Sequence, residues 1–178
     1  MNILTSIILQ TILFILPVSQ QGEKSDRILV YGDDFLFGVK EPTGWHGDTD
    51  SAANYSANII FTRPDQDSTS PYGIIRVCVN DKVDENTVED LAYDMKEYKQ
   101  KYAGIKFGDL QVQHSKYKCF SKIFFVEKDF YEYVTYVNPG KEFTYALSVS
   151  LSKKDVRATE EELSAYKVVV SSLLCGGK

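Results

Sequence analysis

The stretch that most limits the fold runs from Ile105 to Ser152, where IKFGDLQVQ, YKCFSKIFFVEK, FYEYVTYVN and EFTYALSVSLS follow one another almost without interruption. Each is rich in Tyr, Phe, Val and Ile, the residues that suit a pleated, half-buried surface. The connections EKD and NPGK are too short for a crossover, so successive strands must run antiparallel and lie side by side. A meander is the expected result. In the last of the four, Phe143, Tyr145, Leu147, Val149 and Leu151 alternate with Thr144, Ala146, Ser148, Ser150 and Ser152, the pattern of one covered and one wet face.

Two helical patterns flank the meander. In DENTVEDLAYDMKEYKQKYAG, Val88, Leu91, Ala92, Met95, Tyr98 and Tyr102 recur at helical spacing, with Asn86 placed to cap the amide of Glu89 and Gly104 to end the helix. After the meander, Thr159 and Glu162 stand three apart as a capping box, Leu163, Tyr166, Val170 and Leu173 form the stripe, and Gly176-Gly177 close it. Both stripes need a surface to cover. The expected fold class is α+β: a central antiparallel β-sheet with two amphipathic helices packed mainly on one face.

Ahead of this block, RILVYGDDFLFGVK reads as a hairpin turning at Gly32-Asp33-Asp34, with Phe35, Phe37 and Val39 on one face of its second strand. Pro42 has no N–H for a ladder and ends the pairing. Further strands are expected at SANIIFTR, Ser56 to Arg63, and at GIIRVCVND, where Ile75, Val77 and Val79 share a face. Between them lie the longest turn-like stretches of the chain, Gly47 to Tyr55 and Pro64 to Pro71. Loops of that length either carry function or are disordered.

The chain opens MNILTSIILQTILFILPVSQQGEKS, an apolar run from Ile7 to Val18 that gives way abruptly to polar residues. This is the pattern of a secretory signal peptide, shorter than the roughly 20 apolar residues a membrane span requires. The expected organisation is a signal peptide over 1–19, a polar leader over 20–26 and a single domain over 27–178. The mature protein is then exported, periplasmic or extracellular, and soluble, with no stable membrane span after cleavage. A net charge of −5 without a Lys/Arg run argues against nucleic acid and anionic membranes, which are bound by neutralising phosphates. Three cysteines, Cys78, Cys119 and Cys175, allow at most one internal disulfide, in any of three pairings.

Rare residues gather after the hairpin, where the only tryptophan, Trp45, precedes His46, one of two histidines. Trp45 is either a plug for the end of the core or a contact residue. Asp48 and Asp50 are the neighbours His46 could act with, and Asp65 and Asp67 form a second acidic pair. Both pairs carry the oxygen ligands a hard cation takes, but a calcium loop from Asp48 meets Ala53 where Gly is needed and Ile59 where Glu is needed. One from Asp65 ends on Arg76. No metal ligand set, no cofactor motif and no nucleophile elbow is present, so neither a metal nor a cofactor is expected. A thiolate would need a base, and His114 is the nearest in sequence to Cys119.

Phe37-x-Val39-x-x-Pro42-x-x-Trp45, GIIRV running into the helix from Thr87, then FYEYVTYV and FTYALSVSL give an order that resembles the PsbP/DcrB-like group of small α+β domains. The resemblance implies helices on a central antiparallel sheet and non-enzymatic accessory, assembly or binding work, with no shared catalytic set to carry over. The expected function is an exported, non-catalytic binding or accessory domain engaging a protein partner. The contact surface is expected at the Gly44–Tyr55 and Asp65–Ser70 loops, with Trp45, His46, Asp48, Asp50, Asp65 and Asp67 as its residues. Three alternatives stand behind it: an immunity or inhibitor protein against a secreted enzyme, a small-ligand or calcium binder, and last a hydrolase.

Overall fold

The computed structural model describes residues 26–65, 70–82 and 87–176. The expected signal peptide, most of the polar leader, the Asn86 cap and Asp67 lie outside the described residues.

The N-terminal hairpin joins β1 (Arg27–Tyr31) to β2 (Leu36–Lys40), with Arg27 opposite Lys40 and Tyr31 opposite Leu36. A second sheet begins with β3 (His46–Asp48), β4 (Ile59–Thr62) and β5 (Ile75–Asp81). Helix α1 (Thr87–Lys101) leads to β6 (Lys106–Asp109), β7 (Lys118–Val126), β8 (Phe130–Asn138) and β9 (Tyr145–Lys154). The chain closes with α2 (Glu160–Ser172) and β10 (Leu174–Gly176). The fold is α+β with antiparallel sheets throughout. The larger sheet has the order β3-β4-β5-β9-β8-β7-β6, and the smaller β1-β2-β10.

The larger sheet is therefore two meanders, β3-β4-β5 and β6-β7-β8-β9, laid side by side by the β5–β9 pairing from Ile75–Leu151 to Asp81–Tyr145. Helix α1 makes this possible. Its 15 residues span about 22 Å at 1.5 Å each, and four steps between strands cover about 19 Å, so it can carry the chain from β5 to β6 across β9, β8 and β7.

The two helices do not share a face of the sheet, as the alternation in β9 led us to expect; they flank opposite faces. Along β8, Tyr131, Tyr133 and Val137 join the core that holds Ala165, Tyr166, Val169 and Val170 of α2. Val134 and Tyr136 point the other way, into a smaller cluster with Leu91, Phe124, Met95 and Tyr98. Successive strand residues face opposite sides, so a helix on each side buries β8 almost throughout. The serine face of β9 is expected to be wet because serine is polar. It is in fact half-buried, and Arg76 reaches across it to Ser150 and Ser152.

The main core lies between the small sheet, α2 and the inner face of the large sheet, and Phe37, Val39, Phe61, Leu147, Val149, Leu151 and Tyr166 are fully buried in it. Thr159 and Glu162 form the capping box expected for α2. Gly176 does not end that helix. Leu173 leaves it in extended conformation, and Leu174 to Gly176 add a strand to β2.

Candidate functional site

Pro42-Thr43-Gly44-Trp45 is a tight turn in which the Trp45 N–H donates to the Pro42 carbonyl at 3.0 Å. Gly44 sits at φ +79°, a conformation that favours a residue without Cβ. The turn swings Trp45 into the core, where it is 4% exposed, and the Arg63 guanidinium lies 5.9 Å from its ring centroid. His46, by contrast, opens β3 with its ring exposed. Its Nδ1 lies 3.5 Å from Glu41, whose carboxylate also accepts the Gly47 N–H at 2.7 Å.

Asp48 and Asp50 do not converge on that histidine. Asp48 Oδ1 accepts the amides of Asp50 and Ser51 at 2.7 and 3.0 Å, a local turn that leads into the single 3₁₀ turn Ala52–Tyr55. Hydrogen bonds from Ser51 and then from the Asp50 amide hold its carboxyl below the usual range. Asp65 is exposed, 3.7 Å from Arg63 Nε. Among the described residues no group of three or more His, Cys, Asp or Glu is arranged to hold a metal ion.

His114 and Cys119 do not form a catalytic pair. His114 Nδ1 accepts the amides of Lys116 and Tyr117, each at 3.0 Å, so the ring proton is on Nε2 and is donated to the Leu173 carbonyl at 2.9 Å. The histidine thereby ties the end of α2 to the segment before β7, and burial holds its pKa below the ordinary value. The three cysteines are free. Burial pushes the Cys119 and Cys175 thiols up to about 11 and raises Cys78 as well, so all three are protonated at neutral pH.

Two concave features stand outside the region singled out by sequence. At the turn end of the hairpin, a groove of about 560 Å³ is lined by Asp33, Asp34, Phe35, Asp81 and Tyr145. It continues into a second of about 400 Å³ that adds Leu36, Glu142 and Phe143. Four carboxylates around an aromatic floor give this end of the molecule a negative field. The floor is rigid: Phe35 meets Phe37 and Tyr145 at 6.2 Å, and the Tyr145 hydroxyl donates to the Leu36 carbonyl at 2.7 Å. Beyond the groove, the outward face of the small sheet exposes Leu29, Tyr31 and Leu36.

The second feature is a cleft between α1 and the large sheet, lined by Tyr72, Arg76, Tyr98, Tyr102, Phe130 and Glu132. Arg76 Nη2 donates to Glu132 at 3.0 Å and to Ser152 at 2.7 Å, while Nε donates to Ser150 at 3.1 Å. Tyr98 donates to the other oxygen of Glu132. Sequence reading missed both features because their residues come from segments scattered along the chain. The one signal available was β8 itself, whose nearly unbroken apolar run is that of a strand covered on both faces.

What this geometry defines is an α+β domain with two antiparallel sheets, an acidic groove with an apolar face beside it, and no assembled nucleophile–base pair at the histidines and cysteines singled out. No protein-family model matches the chain, and no curated protein is similar enough to match. Among solved structures it is similar to the solution structure of cyanobacterial PsbP (CyanoP) from Synechocystis sp. PCC 6803, at 13% identity and a TM-score of 0.46, covering 86% of this chain and 95% of that one. Among the described residues no helix is long and apolar enough to cross a membrane.

Proposed function

We propose that this chain is an exported, non-catalytic accessory domain that engages a protein partner. The observation that carries the reading is the outward face of the small sheet, where Leu29 is 60%, Tyr31 79% and Leu36 37% exposed. They are contiguous, since Leu29 pairs with Gly38, Tyr31 pairs with Leu36, and the side chains of all three alternate to the same side. Apolar side chains left together on a folded surface mark a contact site, and tyrosine among them offers area with a hydrogen-bonding tip.

The neighbouring groove supplies the chemistry of recognition. Asp33, Asp34, Asp81 and Glu142 favour a partner that is basic where it meets the hairpin turn and apolar where it meets β1. His46, Asp48, Asp50 and Asp65 form the outer rim of the same contact in this reading. Ile28 of β1 packs over Gly47, so close that a Cβ there would run into it, and this brings β3 alongside the hairpin. Asp67 follows two residues after Asp65 in the sequence. Trp45, buried beneath, holds the rim in place. The export part of the reading rests on the apolar leader.

Site-specific photo-crosslinking tests it. A benzophenone side chain at Tyr31 is expected to yield a discrete adduct in the native exported fraction, and one at Tyr93, exposed on α1, none. Identical patterns from the two positions, or no adduct from Tyr31, would remove the reading.

A further inference from the structure

We propose that the cleft between α1 and the large sheet binds a compact organic cation, an alkyl- or trimethylammonium group. The cleft has a volume of about 330 Å³, within the range of small-ligand sites. Its walls are aromatic on two sides, with Tyr98 from the last turn of α1, Tyr102 just past its end, Phe130 from the start of β8, and Tyr72 ahead of β5. The rings are tilted against one another rather than stacked. Tyr102 and Phe130 lie 4.9 Å apart at 56°, Tyr98 and Phe130 6.5 Å apart at 54°. Rings set at angles around a hollow turn more than one π face toward it, and π faces attract a cation. Tyr102 already receives one, since Lys101 Nζ lies 5.2 Å from its centroid.

The charges select the sign of the ligand. The single guanidinium, Arg76, is spent on Glu132, Ser150 and Ser152. Glu132 in turn is fixed by Arg76, Ser152 and Tyr98, so the carboxylate lies immobilised along the cleft. Asp129 completes the lining at its rim, exposed and with no side-chain hydrogen bond or ion pair among the described residues. With Glu132 matched by Arg76, Asp129 is the carboxylate at the rim without a partner of its own, the Lys101 ammonium lying over the Tyr102 ring and in no ion pair with it among the described residues. An anion would meet the Asp129 carboxylate on entry. A group that is large, weakly hydrated and positive satisfies both the rings and the rim, which a small, strongly hydrated metal ion does not.

Calorimetric titration of the purified protein with choline and with 3,3-dimethylbutan-1-ol, its uncharged isostere, tests the assignment. Choline is expected to bind saturably and the alcohol far more weakly. Asp129→Asn and Tyr102→Leu are each expected to weaken choline about tenfold, the scale of one lost cation contact. Asp129 lies on an exposed turn, so its variant keeps the test valid if the Tyr102 variant fails to fold. A peptide carrying trimethyl-lysine, set against choline, tells the source: tighter peptide binding places the group on a protein, tighter choline binding places it on a free metabolite. Equal binding of choline and the alcohol, no saturation at millimolar choline, or affinity unchanged in folded Asp129→Asn and Tyr102→Leu proteins would overturn the proposal.

Discussion

The hydroxyl of Tyr166, on α2, lies 2.7 Å from Oγ1 of Thr135, on β8, and both residues are fully buried. The same hydroxyl is 3.0 Å from the Val149 carbonyl, and Ser121 Oγ is 2.8 Å from Thr135. A carbonyl only accepts, so the Tyr166 proton goes to Val149. Thr135 then donates to Tyr166 and accepts from Ser121. This chain of hydroxyls ties α2 to three adjacent strands through the middle of the main core.

Removing that hydroxyl leaves Thr135 Oγ1 and the Val149 carbonyl without their partner. Tyr166→Phe is expected to cost about 1–3 kcal/mol, the penalty for unsatisfied buried groups, with little change in the packed ring. Chemical denaturation with a constant slope would check it. A variant as stable as the parent would show that water replaces the hydroxyl.

Glu162 has a side chain only 1% exposed, yet it is an ion-pair partner: Lys153 Nζ lies 2.6 Å away, Arg63 3.8 Å, and the Thr159 amide donates at 2.8 Å. Burial alone would raise its pKa, but the Lys153 hydrogen bond, the Thr159 amide and the two cations outweigh it and hold the carboxyl below its ordinary value. A carboxyl with a depressed folded pKa contributes stability that is present above its unfolded value of 4.5 and lost as pH falls through the folded value. Glu162→Gln is expected to be destabilised by about 3 kcal/mol near neutral pH, because a partly buried lysine loses its partner. The difference from the parent should shrink in acid, as thermal melts between neutral pH and pH below 4 would show.

Asp94 titrates in the opposite sense. Burial, followed by the charges of Glu132, Glu97 and Asp90, pushes its carboxyl up to about 6, while the Tyr136 hydroxyl donates to it. A raised folded pKa means that ionisation disfavours the fold, so stability falls as pH rises from 3.8 through about 6. Asp94→Asn keeps the acceptor for Tyr136 and removes the charge. Its melting temperature is expected to exceed the parent's at pH 7.5, and that gain should vanish below pH 4. A constant gain across the range would mean the charge is not its origin.

His114 works in the histidine range with the reverse sign. Its folded pKa lies below 6.5, so the unfolded chain binds the proton more readily and stability falls as pH drops below about 6.5. His114→Asn should lose this segment of the pH profile. Measured in the Asp94→Asn background, where the opposing titration is absent, the parent histidine should give a monotonic fall from pH 7.5 to 5.5.

Trp45 and His46 are neighbours in the chain with opposite fates, and their substitutions should differ accordingly. Trp45→Ala empties a site in the main core and is expected to cost about 3–5 kcal/mol. His46→Ala, at an exposed ring, should stay within about 0.5 kcal/mol. Urea midpoints measured in parallel would separate them.

Much of the architecture could be read from residues that are close in sequence. The β1–β2 hairpin follows from an Asp/Gly turn between alternating strands, the β7–β8–β9 meander from its short connections, and the start of α2 from Thr159 and Glu162. The tight turn ahead of Trp45 follows from Pro42 and Gly44, which set its geometry over four residues. In each case a local preference and the global fold agree, so local rules suffice.

What escaped the sequence depends on partners far along the chain. β10 is three residues long and has no periodicity of its own; it is a strand because β2 offers an open edge and Tyr117 meets the Cys175 amide at 2.9 Å. The opposite placement of α1 and α2 follows from the β5–β9 pairing, which sends α1 across the sheet on the side away from α2. The acidic groove and the aromatic cleft draw their carboxylates and rings from segments up to about a hundred residues apart. The sequence by itself determined the longer strands, the short turns and the helix cap, because those are decided over a few bonds. Which strand lies beside which, and so which side chains share a surface, was decided only when the sheet closed over its core, where burial of apolar area is counted over the whole molecule.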